Sequence, residues 1–88
     1  NLKEACMFTI NESENFKGEL SLYWNDEEIV SVPRDMFSVI KNAEDGGFNI
    51  ADICATGLCG ALAEMPQFQI TRNTHASIRE TLLSYTES

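Results

Sequence analysis

Positive charge is scarce in this sequence. Six lysines and arginines stand against 14 aspartates and glutamates, giving a net charge of −8 over 88 residues. The bases are scattered singly, at Lys3, Lys17, Arg34, Lys41, Arg72 and Arg79. Nucleic-acid phosphates are held by clustered lysine and arginine, so direct nucleic-acid binding is not expected, and the same field repels an anionic membrane. Cysteine is sparse and odd in number: Cys6, Cys54 and Cys59. Three cysteines make a poor disulfide framework and read as free buried thiols in a reducing compartment, the cytoplasm. Long apolar runs are missing: no stretch nears the roughly 20 residues that cross a bilayer, and nothing resembles a secretory signal. A phosphate-cradling loop is missing too, because Gly57-x-x-Gly60 has neither the length nor the lysine of one.

What is present is acid, unevenly placed. Residues 1–31 carry seven acids and two lysines, residues 32–66 five acids and two bases, and residues 67–88 two of each. An acidic front end therefore joins a neutral tail. With 43% hydrophobic residues the chain folds despite this charge, and its length suits one domain spanning residues 1–88. So small a core gains from any partner surface that covers it.

The period-two alternation of half-covered strands appears early. Cys6, Phe8 and Ile10 share a face within residues 5–10, and Asn11 to Asn15 form a polar turn. Leu20, Leu22 and Trp24 share one face of the next strand, with Ser21 and Tyr23 on the other. Asn25-Asp26 turns the chain, and Glu28 to Val32 makes a third strand, since short polar side chains bond back to the turn backbone. Pro33 is expected to open a helix from its first position, with Ser31 as the candidate cap. Met36, Phe37, Ile40 and Ala43 line that helix, and Gly46-Gly47 ends it, the first glycine taking the left-handed angle. Asn49 caps a second helix, with Asp52 three residues on. Ile50, Ile53, Cys54, Gly57, Leu58, Ala61, Leu62 and Met65 form its stripe, broadened by Ala51 and Ala55, and Pro66 stops it. Residues 67–71 alternate as a fourth strand with Phe68 and Ile70 inward. Asn73 or Thr74 caps a last helix whose face carries His75, Ile78, Leu82 and Tyr85. The fold class is α+β, a small antiparallel sheet in the order β-β-β-α-α-β-α with helices packed on one face.

Chemical motifs are thin. Cys54 and Cys59, with Cys6 and His75, would be the members of a metal or nucleophilic site. On a helix, positions five apart diverge by about 140°, and the spacing matches no zinc knuckle. Asp52 and Glu64 oppose a thiolate rather than support one. Glu27-Glu28 and Glu44-Asp45 sit at element ends, where carboxylates are solvated, and the calcium-loop-like start at Asn11-Glu12-Ser13-Glu14 fails at Phe16 and Lys17. No catalytic residue, metal or cofactor is therefore assigned. Gly57 and Gly60 each cost a helix about 1 kcal/mol, so the expectation there is a close backbone approach, within the fold or at a homodimer seam, or else a break of the helix near Gly57. Tyr23 stands among acids, a position that suits an exposed anchor for a cationic protein.

The functional expectation is a small non-enzymatic binding or inhibitory protein that docks on a basic partner surface. Glu12, Glu14, Glu19, Tyr23, Asp26, Glu27 and Glu28 are the contact residues. A nucleic-acid mimic that fills a basic groove is one alternative. A small enzyme or ligand module using Cys54, Cys59 and His75 is another.

Overall fold

The computed structural model describes residues 8–87. Cys6, expected on the first strand, lies outside them. Three strands form one antiparallel sheet in chain order: β1 (Phe8–Glu12), β2 (Leu20–Trp24) and β3 (Glu27–Val32). Three helices follow: α1 (Arg34–Asp45), α2 (Ile50–Leu62) and α3 (Arg72–Glu87). The α+β class expected from the patterning is what forms.

The β2–β3 turn is as tight as its residues permit. Asn25 and Asp26 both take positive φ, 52° and 70°, the left-handed pair of a two-residue hairpin, which Asn and Asp tolerate better than other side chains. The register puts Leu22 opposite Ile10 on one side and Val30 on the other, and Leu20 opposite Val32. Between Leu22 and Tyr23 the register slips, so that Tyr23 faces Glu28 and Ile29 is the extra residue. This bulge lets Ile29 and Val30 both reach the core while turning Glu28 to the opposite face.

The core lies between the sheet and the helices. Phe8, Leu20, Leu22 and Val32 come from the strands, Phe37 and Ile40 from α1, and Ile78 and Leu82 from α3. Helix α3 packs on both other helices and on β1, and α2 also touches β3. The rings of Phe37 and Tyr85 meet at 4.5 Å, closing the far end of the α1–α3 contact.

Four local expectations are corrected. Pro33 is the cap of α1 and not its first residue: its ψ of 135° is extended, and no side chain caps the helix. Gly46 ends α1 with φ −89°, and Gly47, at φ 87°, takes the left-handed angle. Thr71, not Asn73 or Thr74, caps α3, receiving the Thr74 N–H at 3.2 Å while Thr74 Oγ1 receives the Thr71 N–H at 3.3 Å. Residues 67–71 form no strand. Their alternation is satisfied by a loop that dips Phe68 and Ile70 toward the core, with Phe68 edge-on to Trp24 at 4.9 Å. The cap of α2 is as expected, Asn49 Oδ1 accepting the Asp52 N–H at 3.4 Å.

The buried stripe of α2 is also rotated from the expected one. Ala51, Ala55, Leu58, Cys59 and Leu62 face inward, while Ile53, Gly57, Gly60 and Ala61 face out. The small residues that are buried are the alanines, Ala51 and Ala55. A Cβ added at Gly57 or Gly60 would meet nothing within 4 Å. Gly57→Ala should therefore raise the unfolding free energy by about 1 kcal/mol, the helix-propensity difference with no steric offset. Urea titration of the two proteins checks this, and destabilisation would mean that the outer face is covered.

Candidate functional site

The sheet has a second face, and it is not simply open to solvent. The β1–β2 connection, residues 13–19, folds back over it. Ser13 starts that fold: its hydroxyl accepts the N–H of Asn15 at 3.1 Å and of Phe16 at 2.9 Å, a local turn that competes with continued strand. The loop is then fastened to β3 through Glu28. One carboxylate oxygen accepts the hydroxyls of Ser13 (2.7 Å) and Ser21 (2.8 Å), and the other accepts the Glu14 N–H (3.0 Å) and the Asn15 amide (3.2 Å). These bonds favour the ionised carboxylate, the Ser13 hydroxyl most and the Ser21 hydroxyl next, and hold its pKa below the usual 4.5.

Tyr23 lies beneath this loop. It is 6% exposed, so the exposed anchor expected from the sequence is not what forms. Its hydroxyl donates to the Glu12 carbonyl at 2.6 Å and accepts the Glu14 N–H at 3.2 Å. Burial, and then the charge of Glu28, push the phenol above its ordinary value of 10.0. At the other end of the loop Arg34 pairs with the Glu12 carboxylate, and its Nε donates to the Gly18 carbonyl at 2.7 Å.

Together these contacts shape a hollow of about 560 Å3 on the outer face, lined by Thr9, Asn11, Glu12, Ser13, Glu14, Tyr23 and Asp26. Four of the seven expected contact residues, Glu12, Glu14, Tyr23 and Asp26, meet there. Glu28 is turned to internal bonding and positions the loop. Glu19 and Glu27 are exposed but do not line the hollow. Glu14 and Asp26 form no ion pair among the described residues. Thr9, Asn11 and Ser13 were not anticipated as lining residues. The strand alternation could have marked Thr9 and Asn11, which share the face of Tyr23. Nothing local could have marked Arg34, whose partner Glu12 is 22 positions away.

The thiols and His75 make a different picture. Burial raises the pKa of Cys54 and Cys59 above 9.0, which suppresses the nucleophilic thiolate. His75 reaches across from α3 to α2, its Nε2 lying 3.0 Å from Thr56 Oγ1 and 3.6 Å from Asp52 Oδ1. The Thr56 hydroxyl donates to the Asp52 carbonyl at 2.9 Å. It therefore receives its bond from His75 Nε2–H, so that nitrogen is not a base toward Thr56. Among the described residues no three His, Cys, Asp or Glu side chains are grouped to hold a metal ion, and no helix is long and apolar enough to cross a membrane.

Comparison with family models, with curated proteins and with solved structures returns no match.

Proposed function

We propose that this chain is a non-enzymatic protein-binding domain whose outer-face hollow receives a lysine or arginine side chain of a basic partner. One observation carries the reading: Glu12, Glu14 and Asp26 line one concavity together with Tyr23, and among the described residues only Glu12 of the three carboxylates is paired with a cation. Rows of carboxylates at phosphate spacing would suit nucleic-acid mimicry. Three acids around one depression suit a single ammonium or guanidinium, which long-range charge would steer inward.

The test uses oligo-lysine and oligo-arginine peptides as probes, titrated at low and at high salt. Binding should weaken as salt is added, and Glu14→Gln with Asp26→Asn should lower affinity by roughly 3- to 10-fold, as two partly exposed charge contacts are lost. Affinity indifferent to salt and to this double variant would remove the proposal.

A homodimer seam along α2 is a second reading, favoured by Ile53, 65% exposed beside the two outward glycines. A solution mass that stays monomeric at all concentrations would exclude it.

A further inference from the structure

Among the described residues strand β1 is an edge strand, and the phase of its ladder can be assigned. Ser13 donates its N–H to the Glu19 carbonyl at 2.9 Å, continuing the β1–β2 register past Glu12. Hydrogen-bonded pairs alternate in an antiparallel ladder, so Asn11 with Ser21 and Thr9 with Tyr23 are the bonded pairs. The backbone groups of Phe8, Ile10 and Glu12 then point to the free edge. Two contacts agree with this phase: the Thr81 hydroxyl, which donates to the Ser77 carbonyl at 2.8 Å, also approaches the Phe8 carbonyl at 3.3 Å, and the Glu12 carbonyl receives Tyr23. Both neighbouring carbonyls are thus approached by a side-chain hydroxyl. Among the described residues Ile10 makes no backbone hydrogen bond outside the sheet ladder. Its N–H and C=O face a groove of about 410 Å3 between β1 and α3, whose lining includes the apolar Phe8, Ile10 and Tyr85 and the polar Ser77, Glu80 and Ser84. The other edge, β3, carries the bulge, a feature that discourages strand addition.

We infer that a short extended segment of the basic partner adds to the β1 edge at Ile10, presenting side chains in the order basic–apolar–basic. The order follows from strand geometry. A residue opposite Ile10 points to the same face as Ile10, into the groove against Tyr85, and its two neighbours point to the opposite face. That face is the acidic hollow, and Thr9 lines both concavities. Charge chooses the occupant: a second copy paired on this edge would bring its own Glu12, Glu14 and Asp26 against the same hollow, whereas a cationic segment neutralises them. The inference rests on the proposed docking of a cation, and adds its backbone register and its apolar requirement.

Four peptides of equal length separate the two claims: alternating Lys-Val, the same residues in blocks, alternating Ser-Val, and alternating Lys-Val with the central amide N-methylated. Affinity is read by titration, and Ile10 amide exchange by NMR. Alternating Lys-Val should bind at least about tenfold more tightly than the blocked and N-methylated forms, through two backbone bonds and one apolar contact. It should also slow exchange at Ile10. Thr9→Lys, an exposed substitution on the strand, should abolish the preference. If blocked and alternating peptides bind equally, and Ile10 exchange is unchanged, edge pairing is overturned while cation docking stands. Equal binding of Ser-Val with Ile10 protected overturns the cationic requirement and the docking reading with it. Ile10 protection that grows with protein concentration alone makes the occupant a second copy and overturns the inference, as does no binding by any peptide.

Discussion

Leu22→Ala should cost about 3 kcal/mol of unfolding free energy, a large part of the roughly 4–13 kcal/mol expected for a chain of this length. Leu22 is fully buried at the centre of the middle strand, between Ile10 and Val30. Its removal leaves a void that the flanking strands are too constrained by their own ladders to fill, so the cavity adds to the lost transfer energy. Thermal unfolding should fall by more than about 10 °C. Val39→Ala is the control: that side chain is 53% exposed on α1, and its truncation should stay within about 0.5 kcal/mol. Equal effects at the two positions would mean that β2 is not the centre of the core.

Glu28→Ala should release the loop over the outer face. The carboxylate is the common acceptor for Ser13, Ser21, Glu14 and Asn15. Ser21 is 0% exposed, and a buried hydroxyl that loses its acceptor costs about 1–3 kcal/mol. The neighbouring Glu27→Ala, which breaks no such bond, should be nearly silent. Amide exchange at Glu14 should quicken in the first variant only. The pH dependence follows from the same bonds. Because folding depresses the Glu28 pKa below 4.5, its contribution is complete above that pH and is lost as pH falls through the folded value. The wild-type urea midpoint should drop on that acid limb, and Glu28→Gln should flatten it. An acid limb identical in the two proteins would assign it to other carboxylates.

These outcomes bear on docking. Glu14→Gln removes a charge from the hollow without breaking a backbone bond, because Glu14 is held through its N–H. Glu28→Ala leaves the charges of Glu12, Glu14 and Asp26 in place but frees the segment that carries Glu14. Loss of peptide affinity in both variants, with loss of stability only in the second, would separate a contacting residue from a positioning one.

The amino-acid order alone determined the class of the fold. Leu20-Leu22-Trp24 carries its period of two, Asn25-Asp26 its turn, Asn49 its cap and Ile78-Leu82 its helical face, and each signal is local, complete within a few residues. It also determined the charge. Tertiary structure decided which faces are covered. Gln-Phe-Gln-Ile-Thr alternates as a strand would, yet it forms a loop whose Phe68 is seated on Trp24. The stripe of α2 turned to its alanines once α3 and the sheet took their places, leaving the glycines outside. Ser21 and Tyr23 lie on the polar side of β2 and are buried all the same, because a bulge aims Glu28 at a loop 14 positions earlier in the chain. Periodicity reports which side chains share a face. Whether that face meets core, loop or water depends on partners distant in the chain, and so one of the acids expected at a docking surface, Glu28, became the fastening of a loop.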